Sequence, residues 1–403
     1  MGSVTARILG AESVRMLELG HPWIIADSYT KRWPAGKAGD LVELVDANGR
    51  FLATALLDPA DRIVARVLEW RRLRLDGAWL AKRLADAVAL RRDLVLREDT
   101  DAFRLVNGEG DGLPGLTVDR YGDYLMVQIY CAGWRPHLKL VVRALEGLLQ
   151  PAGIYEKSRP QNTRELEAVS DSKSYGRLLA GAPAPPRLTV RENGLNFLVS
   201  LELGLNTGLF LDHRETRRAF MAQVRGKRVL NLFSYTCAFS VAAAAAGASS
   251  VTSVDVSPTY MEWGRANFGA NRLNHKRHEF IAGDSFAVLS DLARQGRRFD
   301  VVVMDPPSFS TTAKSRFTTR KGTSDLVAAV LPVLADGGLL LASSNHQKVE
   351  LPDYLKELRR GALQAGSGLQ VLAVTGQPAD FPYPVTFPEG RYLKCALCRK
   401  TAW

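Results

Sequence analysis

The chain has 403 residues, 46% of them hydrophobic and 24% charged. That mixture excludes a disordered chain, and the length leaves room for roughly two or three domains. Lysine and arginine exceed aspartate and glutamate by 53 − 42 = 11, a basic excess that points to a polyanionic partner. The 4 cysteines are too few for a disulfide scaffold. The neighbouring pair Cys395 and Cys398 cannot fill a four-ligand zinc site, so no metal is expected. The start of the chain has no charged-then-apolar leader, and the most apolar helix candidate, residues 238–248, is too short to span a bilayer. A cytoplasmic protein without membrane contact is the expectation.

In chain order, residues 11–19 read as a short helix closed by Gly20. Strands are expected at 41–46, 51–57 and 63–68, the first two joined by the Asn48-Gly49 turn. Leu80, Leu84, Ala87, Leu90 and Leu94 recur at helical spacing, so residues 76–97 read as an amphipathic helix. A glycine-dense loop at 106–115, a strand at 124–130, a helix at 137–149 and a strand at 153–157 complete a second, α+β unit. Proline-rich residues 181–186 are the best linker, and residues 188–201 read as a hairpin turning at Asn193-Gly194. From Val229 strands (229–232, 251–254, 279–281, 300–304, 338–343) alternate with helices (239–246, 258–271, 324–334), and a last strand is expected at 391–400. Alternation of this kind means βαβ units around a parallel sheet. The expected class is α/β, divided at 1–74, 75–186 and 187–403.

Ligands of such sheets bind at the carboxyl ends of the strands. Three successive strands end in, or run into, Asp255, Asp284 and Asp305. One such residue is an ordinary turn or helix cap; three in succession point to a nucleoside-bearing ligand, whose ribose hydroxyls a carboxylate can accept. The loop after the first strand, Asn231-Leu-Phe-Ser-Tyr-Thr-Cys-Ala-Phe-Ser240, has no glycine. A pyrophosphate could not approach its backbone closely, which disfavours a dinucleotide. Met304-Asp-Pro-Pro-Ser-Phe309 makes a stiff turn that presents Asp305 and Phe309 at the ligand edge.

Asp305-Pro-Pro-Ser-Phe309 resembles motif IV of class I S-adenosylmethionine-dependent methyltransferases that modify nucleic-acid bases. Asn231-Leu-Phe-Ser-Tyr-Thr236 is similar to the motif I variant of one group, the bacterial ribosomal RNA large subunit methyltransferase I and K family. Gly20-His-Pro-Trp-Ile24 with Gly49-Arg-Phe-Leu52 resembles that family's amino-terminal PUA domain, an RNA-binding β-barrel. The long run from Arg104 to Gly122 resembles its central-domain signature, Thr207 to Arg214 the segment before motif I, and Pro388 to Lys394 its last strand. The resemblance covers nearly the whole chain. It implies a PUA-like barrel, a central α+β domain and a Rossmann-like methyltransferase sheet, with S-adenosylmethionine as cofactor. Arg214, Phe233, Tyr235, Thr236, Asp255 with Val256, and Asp284 with Ser285 would then line the cofactor site. Asp255 would take the ribose hydroxyls and Asp284 the adenine amino group. Asp305, Pro306, Phe309 and Asn345 would stand at the point of methyl transfer. His213 replaces the family's more usual Gln beside Arg214.

Branches that make 5-methylcytosine need a cysteine thiolate, because cytosine C5 is a poor nucleophile until a thiol adds to C6. The position that would carry it here is Asn345, and Ser343-Ser-Asn345 resembles instead the branch that methylates a guanine ring nitrogen. A nitrogen lone pair needs positioning rather than covalent activation. Cys237 stands in motif I where the family usually has Gly and reads as a small pocket-wall residue, while Cys395 and Cys398 read as core. The expected reaction is methyl transfer to a nitrogen of a flipped-out base in large-subunit ribosomal RNA, free or in a precursor particle. Lys157-Ser-Arg159 and the basic run Lys314, Arg316, Arg320, Lys321 are expected to contact RNA. Members of the family often pair, so a homodimer is among the expected assemblies. Three other readings remain: 5-methylcytosine formation with a cysteine from elsewhere, a ribosome-assembly factor that no longer turns over, and a small-molecule methyltransferase.

Overall fold

The computed structural model describes residues 5–94, 99–158, 173–307, 309–311 and 316–402; side chains are described for all of these except 93–94, 309–311 and 316–321. The chain forms two compact units. One comprises Met1–Leu188, Ser200–Thr207 and Ala379–Gly390; the other comprises Thr189–Val199, Gly208–Pro378 and Arg391–Trp403.

The first unit holds two five-stranded sheets. Strands β1 (Thr5–Ile8), β2 (Trp23–Ile25), β3 (Leu41–Val45), β4 (Phe51–Leu57) and β5 (Ile63–Glu69), with helix α1 (Ala11–Glu18), make a sheet in the order β1-β3-β4-β5-β2. Its core is Ile24, Leu44, Ala53, Ala55, Val67 and their neighbours. Helix α2 (Gly77–Leu94), strands β6 (Ala102–Asn107), β7 (Leu116–Tyr121) and β8 (Tyr124–Ile129), helix α3 (Leu138–Leu149), and strands β9 (Gly153–Lys157) and β10 (Gly176–Gly181) follow, with the sheet order β10-β9-β8-β7-β6. The helical spacing of Leu80, Leu84 and Ala87 places all three in the core beneath α2, against Phe103, Val127 and Trp134.

Strands β6 and β7, not read from the sequence, flank the glycine-dense run, which is the loop that connects them. Its density in glycine has a steric cause. A Cβ on Gly110 would lie 2.0 Å from the Pro382 carbonyl oxygen, so only glycine lets segment 379–390 pack there. Buried Arg91 holds the same junction, donating to both oxygens of Asp111 (2.5 and 2.8 Å) and to the Asp380 carbonyl (2.8 Å).

The second unit begins with the hairpin β11 (Leu188–Glu192) and β12 (Leu195–Val199). Then come α4 (Arg214–Met221), β13 (Arg228–Leu232), α5 (Ala238–Ala245), β14 (Ser250–Asp255), α6 (Pro258–Ala270), β15 (Glu279–Ala282), α7 (Ser285–Arg294) and β16 (Phe299–Met304). The chain continues through the small hairpin β17 (Phe309–Thr311) and β18 (Arg316–Thr318) to α8 (Thr319–Val330), β19 (Leu334–Ser344), α9 (Leu351–Gln364), β20 (Gly368–Thr375) and β21 (Lys394–Thr401). The sheet order is β15-β14-β13-β16-β19-β21-β20. Strands β13 to β16 and β19 run parallel, and β21 is inserted antiparallel beside β19. This is the expected α/β class.

The apolar runs of the central strands are buried on both faces, as parallel strands between helices require. Leu230, Leu232, Val302 and Met304 face one core with Leu326, Tyr354 and Leu358. Val229, Val301 and Val303 face the other with Phe220 and Phe239. Helices α4, α7 and α9 were not read from the sequence, and β19 begins earlier than expected. No helix of the described residues is long and apolar enough to cross a membrane.

Candidate active site

The parallel register brings the strand ends to one edge. Leu232 stands opposite Val254 and Met304, Asp255 opposite Ala282, and Met304 opposite Ala342. The residues that follow are those singled out in the sequence: Phe233 after β13, Asp255 at the end of β14, Asp284 after β15, Asp305 after β16 and Asn345 after β19.

The loop after β13 is strained. Phe233, Tyr235 and Cys237 have φ of 54°, 48° and 66°, the left-handed region that favours glycine. Three such residues in one loop cluster where a ligand edge is expected. Asp255 helps hold the loop: its carboxylate accepts from Tyr235 N at 2.9 Å and from Ser257 N at 3.0 Å. The Tyr235 ring lies 4.5 Å from that of Tyr260 and 5.3 Å from that of Phe210. Thr236 is fully buried and donates to the Gly208 carbonyl at 2.5 Å, so its hydroxyl braces the loop from below rather than lining an open surface. Cys237 also turns inward. Its sulfur occupies the space over Gly264, where a Cβ would approach it to 2.4 Å, and burial pushes its pKa up to about 12. The pocket-wall expectation for Cys237 is therefore corrected: the thiol is a packing group at the start of α5.

Asp284 is exposed and caps α7, accepting from Ala287 N at 3.0 Å, with Ser285 buried behind it. Val256 is exposed beside Asp255. Pro306 is buried and Asn345 exposed. Phe309 lies in β17, but its side chain is outside the described residues. So are the side chains of Arg316, Arg320 and Lys321, together with Arg159 and Lys314 entirely.

The structure gives His213, singled out in the sequence only by its place beside Arg214, partners that sequence reasoning did not show. His213 is buried against the end of β16, and its Nε2 lies 3.2 Å from Oδ2 of Asp305. Its Nδ1 lies 3.9 Å from Sγ of Cys395. The same sulfur accepts from Ser343 Oγ at 3.3 Å, its cross-strand partner in β19, and from Thr216 Oγ1 at 3.8 Å. Burial alone would press the imidazole towards neutrality. The Asp305 carboxylate, and after it the Cys395 sulfur, more than offset that and raise the His213 pKa well above its usual value. A protonated ring donates from both nitrogens, which matches its two acceptors here. Asp305 keeps 27% of its side chain exposed, while Cys395 is 1% exposed.

The segment that delivers His213 is anchored from below. Arg217 makes a buried two-bond pair with Glu192 of β11 (2.7 Å each) and donates to the Phe210 carbonyl at 2.6 Å. Arg214 is buried one position after the histidine. A Cβ on Gly208 would lie 2.4 Å from the Trp263 ring, so glycine is required where the segment crosses α6.

This donor set fits S-adenosylmethionine. The ligand offers two ribose hydroxyls, an adenine amino group and a sulfonium charge. Asp255 and Asp284 each retain acceptor capacity after their backbone bonds, since an ionised carboxylate has about four lone-pair sites. Asp305 supplies negative charge at the same edge. The loop has no glycine to admit a phosphate.

Comparison with known proteins agrees with this cofactor. Residues 103–390 match the family model described as S-adenosylmethionine-dependent methyltransferase, and residues 8–70 match that of a PUA-like domain. The chain is 34% identical to the Ribosomal RNA large subunit methyltransferase I of Klebsiella pneumoniae, over 94% of each chain. It is also 34% identical to the protein of that name from Escherichia coli, over 94% of this chain and 95% of the other. Among solved structures, the methyltransferase SMU.776 complexed with SAH superposes with a TM-score of 0.89 at 28% identity, over 98% of this chain and 100% of that one. A SAM-dependent methyltransferase from Streptococcus mutans gives 0.86 at 28% identity, with the same coverage.

Proposed function

This chain belongs to the S-adenosylmethionine-dependent methyltransferase family, and from that premise we propose that it transfers the methyl group to a nitrogen of a base in large-subunit ribosomal RNA. The curated relatives are named for that RNA, and the amino-terminal PUA-like match and the net charge of +11 suit an RNA substrate. In this reading the chain divides into a PUA-like domain (1–74), a central domain (75–186) and a methyltransferase domain (187–403).

The single observation that carries the choice of nitrogen is Asp305 paired with buried His213 at the strand end. The cofactor, when bound, supplies an electrophilic methyl group on sulfur. Asp255 would hold its ribose hydroxyls and Asp284 its adenine amino group, with Phe233 and Tyr235 beside them and Arg214, Thr236, Val256 and Ser285 supporting the wall. His213 Nε2–H fixes Oδ2 of Asp305, and the other carboxylate oxygen accepts from an N–H of the base. That hydrogen bond aims the nitrogen lone pair and, as the new N–C bond forms, provides a nearby acceptor for the displaced proton. Pro306 stiffens the turn, and Phe309 and Asn345 would contact the flipped base.

A thiol route is the second reading, because Cys395 lies beside His213 although 182 positions away in the chain. Its burial is the argument against it, since a base carbon cannot reach a sulfur that is 1% exposed. Burial pushes the Cys398 thiol up to about 11, so that cysteine offers no thiolate at neutral pH. The reading places the protein in the cytoplasm with ribosome precursors. It also includes a homodimer, which the open edge strand β20 with exposed Val371 and Leu372 supports.

The test is to incubate the protein with labelled S-adenosylmethionine and ribosomal RNA, or precursor particles, from a strain lacking the gene. Label should enter large-subunit RNA with the unaltered protein and not with Asp305→Ala. No label with cofactor binding intact contradicts the proposal and favours an assembly role.

A further inference from the structure

We propose that the amino-terminal edge of the seven-stranded sheet, opposite the aspartates, is a second contact surface for RNA, built to grip phosphates away from the target base. The inference rests on the RNA-substrate reading above. Six exposed cations lie on the connections that enter the sheet at this edge: Arg225 and Lys227 before β13, Arg272, Lys276 and Arg277 before β15, and Arg298 before β16. The register joins these connections side by side, with Arg228 opposite Ser250, Thr252 opposite Glu279 and Val229 opposite Val301. Gly226 N also donates to the Gly247 carbonyl at 2.8 Å, and Ser249 N to that of Lys227 at 2.9 Å.

Among the described residues, four carboxylates at this edge are paired with other cations. Asp300 receives two bonds from Arg228 (3.0 and 3.2 Å), Glu279 is paired with Arg297 at 2.7 Å, Asp336 with Lys400 at 3.0 Å, and Asp291 with Arg294. The six cations therefore add to a field that the edge does not neutralise. An open cleft of about 530 Å³ is lined by three arginines, Arg228, Arg297 and Arg298, and one carboxylate, Asp336, with room for a phosphodiester group.

Helix dipoles explain part of this pattern, since cations favour helix C-termini. That accounts for Arg294 at the end of α7 and Arg272 just past α6, but not for Arg225, Lys227 and Arg298, which lie beyond the last turns, nor for Lys276 and Arg277, whose three-residue 3-10 turn is too short to carry a dipole of that size. Arg272 also holds φ at 56°, a conformation that glycine or asparagine adopts with less strain. The long cation is kept there despite that. The field is felt by a neighbour: burial first, and Arg277 after it, lower the pKa of His278, whose Nδ1 accepts from Val251 N at 3.1 Å.

The size of the partner follows from the strands. Strands of five or six residues separate the two edges by roughly 20 Å. A base at the aspartate edge and phosphates at the opposite edge therefore lie several nucleotides apart along one RNA.

The experiment uses the full-length protein with Lys276→Glu plus Arg277→Glu, and separately with Lys227→Glu plus Arg298→Glu. Binding of large-subunit ribosomal RNA is titrated at several salt concentrations, with S-adenosylmethionine affinity and melting temperature measured in parallel. Each pair of substitutions should weaken RNA binding roughly tenfold or more and make the log–log salt dependence shallower by about 1 to 2. Cofactor affinity and melting temperature should stay as in the unaltered protein. RNA affinity and salt slope unchanged in both variants would overturn the surface, whatever the methylation assay gives. A slope change alongside an unaltered protein that methylates no RNA would keep the surface and sink the substrate reading.

Discussion

At the carboxyl edge of the seven-stranded sheet, each aspartate has a definite partner. Asp255 is held by Tyr235 N and Ser257 N, Asp284 by Ala287 N, and Asp305 by buried His213. At the amino edge, Arg225, Lys227, Arg272, Lys276, Arg277 and Arg298 lie exposed on the connections. The difference follows from what each edge is asked to do. Methyl transfer depends on alignment, so its acceptors must be fixed before the substrate arrives. Phosphate contact depends on charge and tolerates long, mobile side chains.

Breaking the support of the ordered edge should have the largest effect. Glu192→Ala leaves the Arg217 guanidinium buried without its carboxylate, and loss of one partner of a buried pair costs about 3–5 kcal/mol. Denaturant unfolding should show that loss, and an unchanged midpoint would mean that the pair does not hold the segment carrying His213. Asp305→Ala comes next: the methylation rate should fall on the order of 100-fold or more, while cofactor affinity falls far less. A loss confined to cofactor affinity would move Asp305 from the base to the cofactor.

Asp255→Ala should weaken S-adenosylmethionine binding by about 1.5–3 kcal/mol, the range for bonds to a charged group, as read by calorimetry. Unchanged affinity would show that Asp255 serves the loop alone. The smallest effect is pH-dependent. Because the folded-state pKa of His213 is raised, its pairing contributes stability that is complete below the unfolded value of about 6.5 and is lost as pH rises through the folded value. His213→Gln removes that contribution. The melting temperature of the unaltered protein should therefore exceed the variant's most at low pH, and the gap should narrow as pH rises through that window. A gap independent of pH would mean that packing, not charge, explains the histidine.

The sequence made the aspartate edge legible because each aspartate follows an apolar strand, and strand ends of a parallel sheet converge. It hid the contacts that depend on non-neighbouring strands. Cys395 meets His213 and Ser343 only because β21 inserts beside β19, and no spacing rule announces that. Helix α4, Arg-Glu-Thr-Arg-Arg-Ala-Phe-Met, was missed because its arginines obscure an apolar face; one of them, Arg217, is buried through its pair with Glu192. The glycines at 108–115 read correctly as a loop, but the reason for Gly110, the approach of Pro382 272 positions later, does not show in the sequence. The cationic edge escaped notice for a similar reason: its residues are scattered from 225 to 298 and form a group only when the sheet aligns their connections.

The most direct measurement is the identity of the product. Ribosomal RNA methylated by the protein with labelled S-adenosylmethionine would be digested to nucleosides, and the labelled nucleoside identified by mass. Asp305 positioned by His213, with Cys395 buried behind it, predicts label on a nitrogen of guanine or adenine. Label on 5-methylcytidine would contradict the account and make Cys395 the thiol to test first.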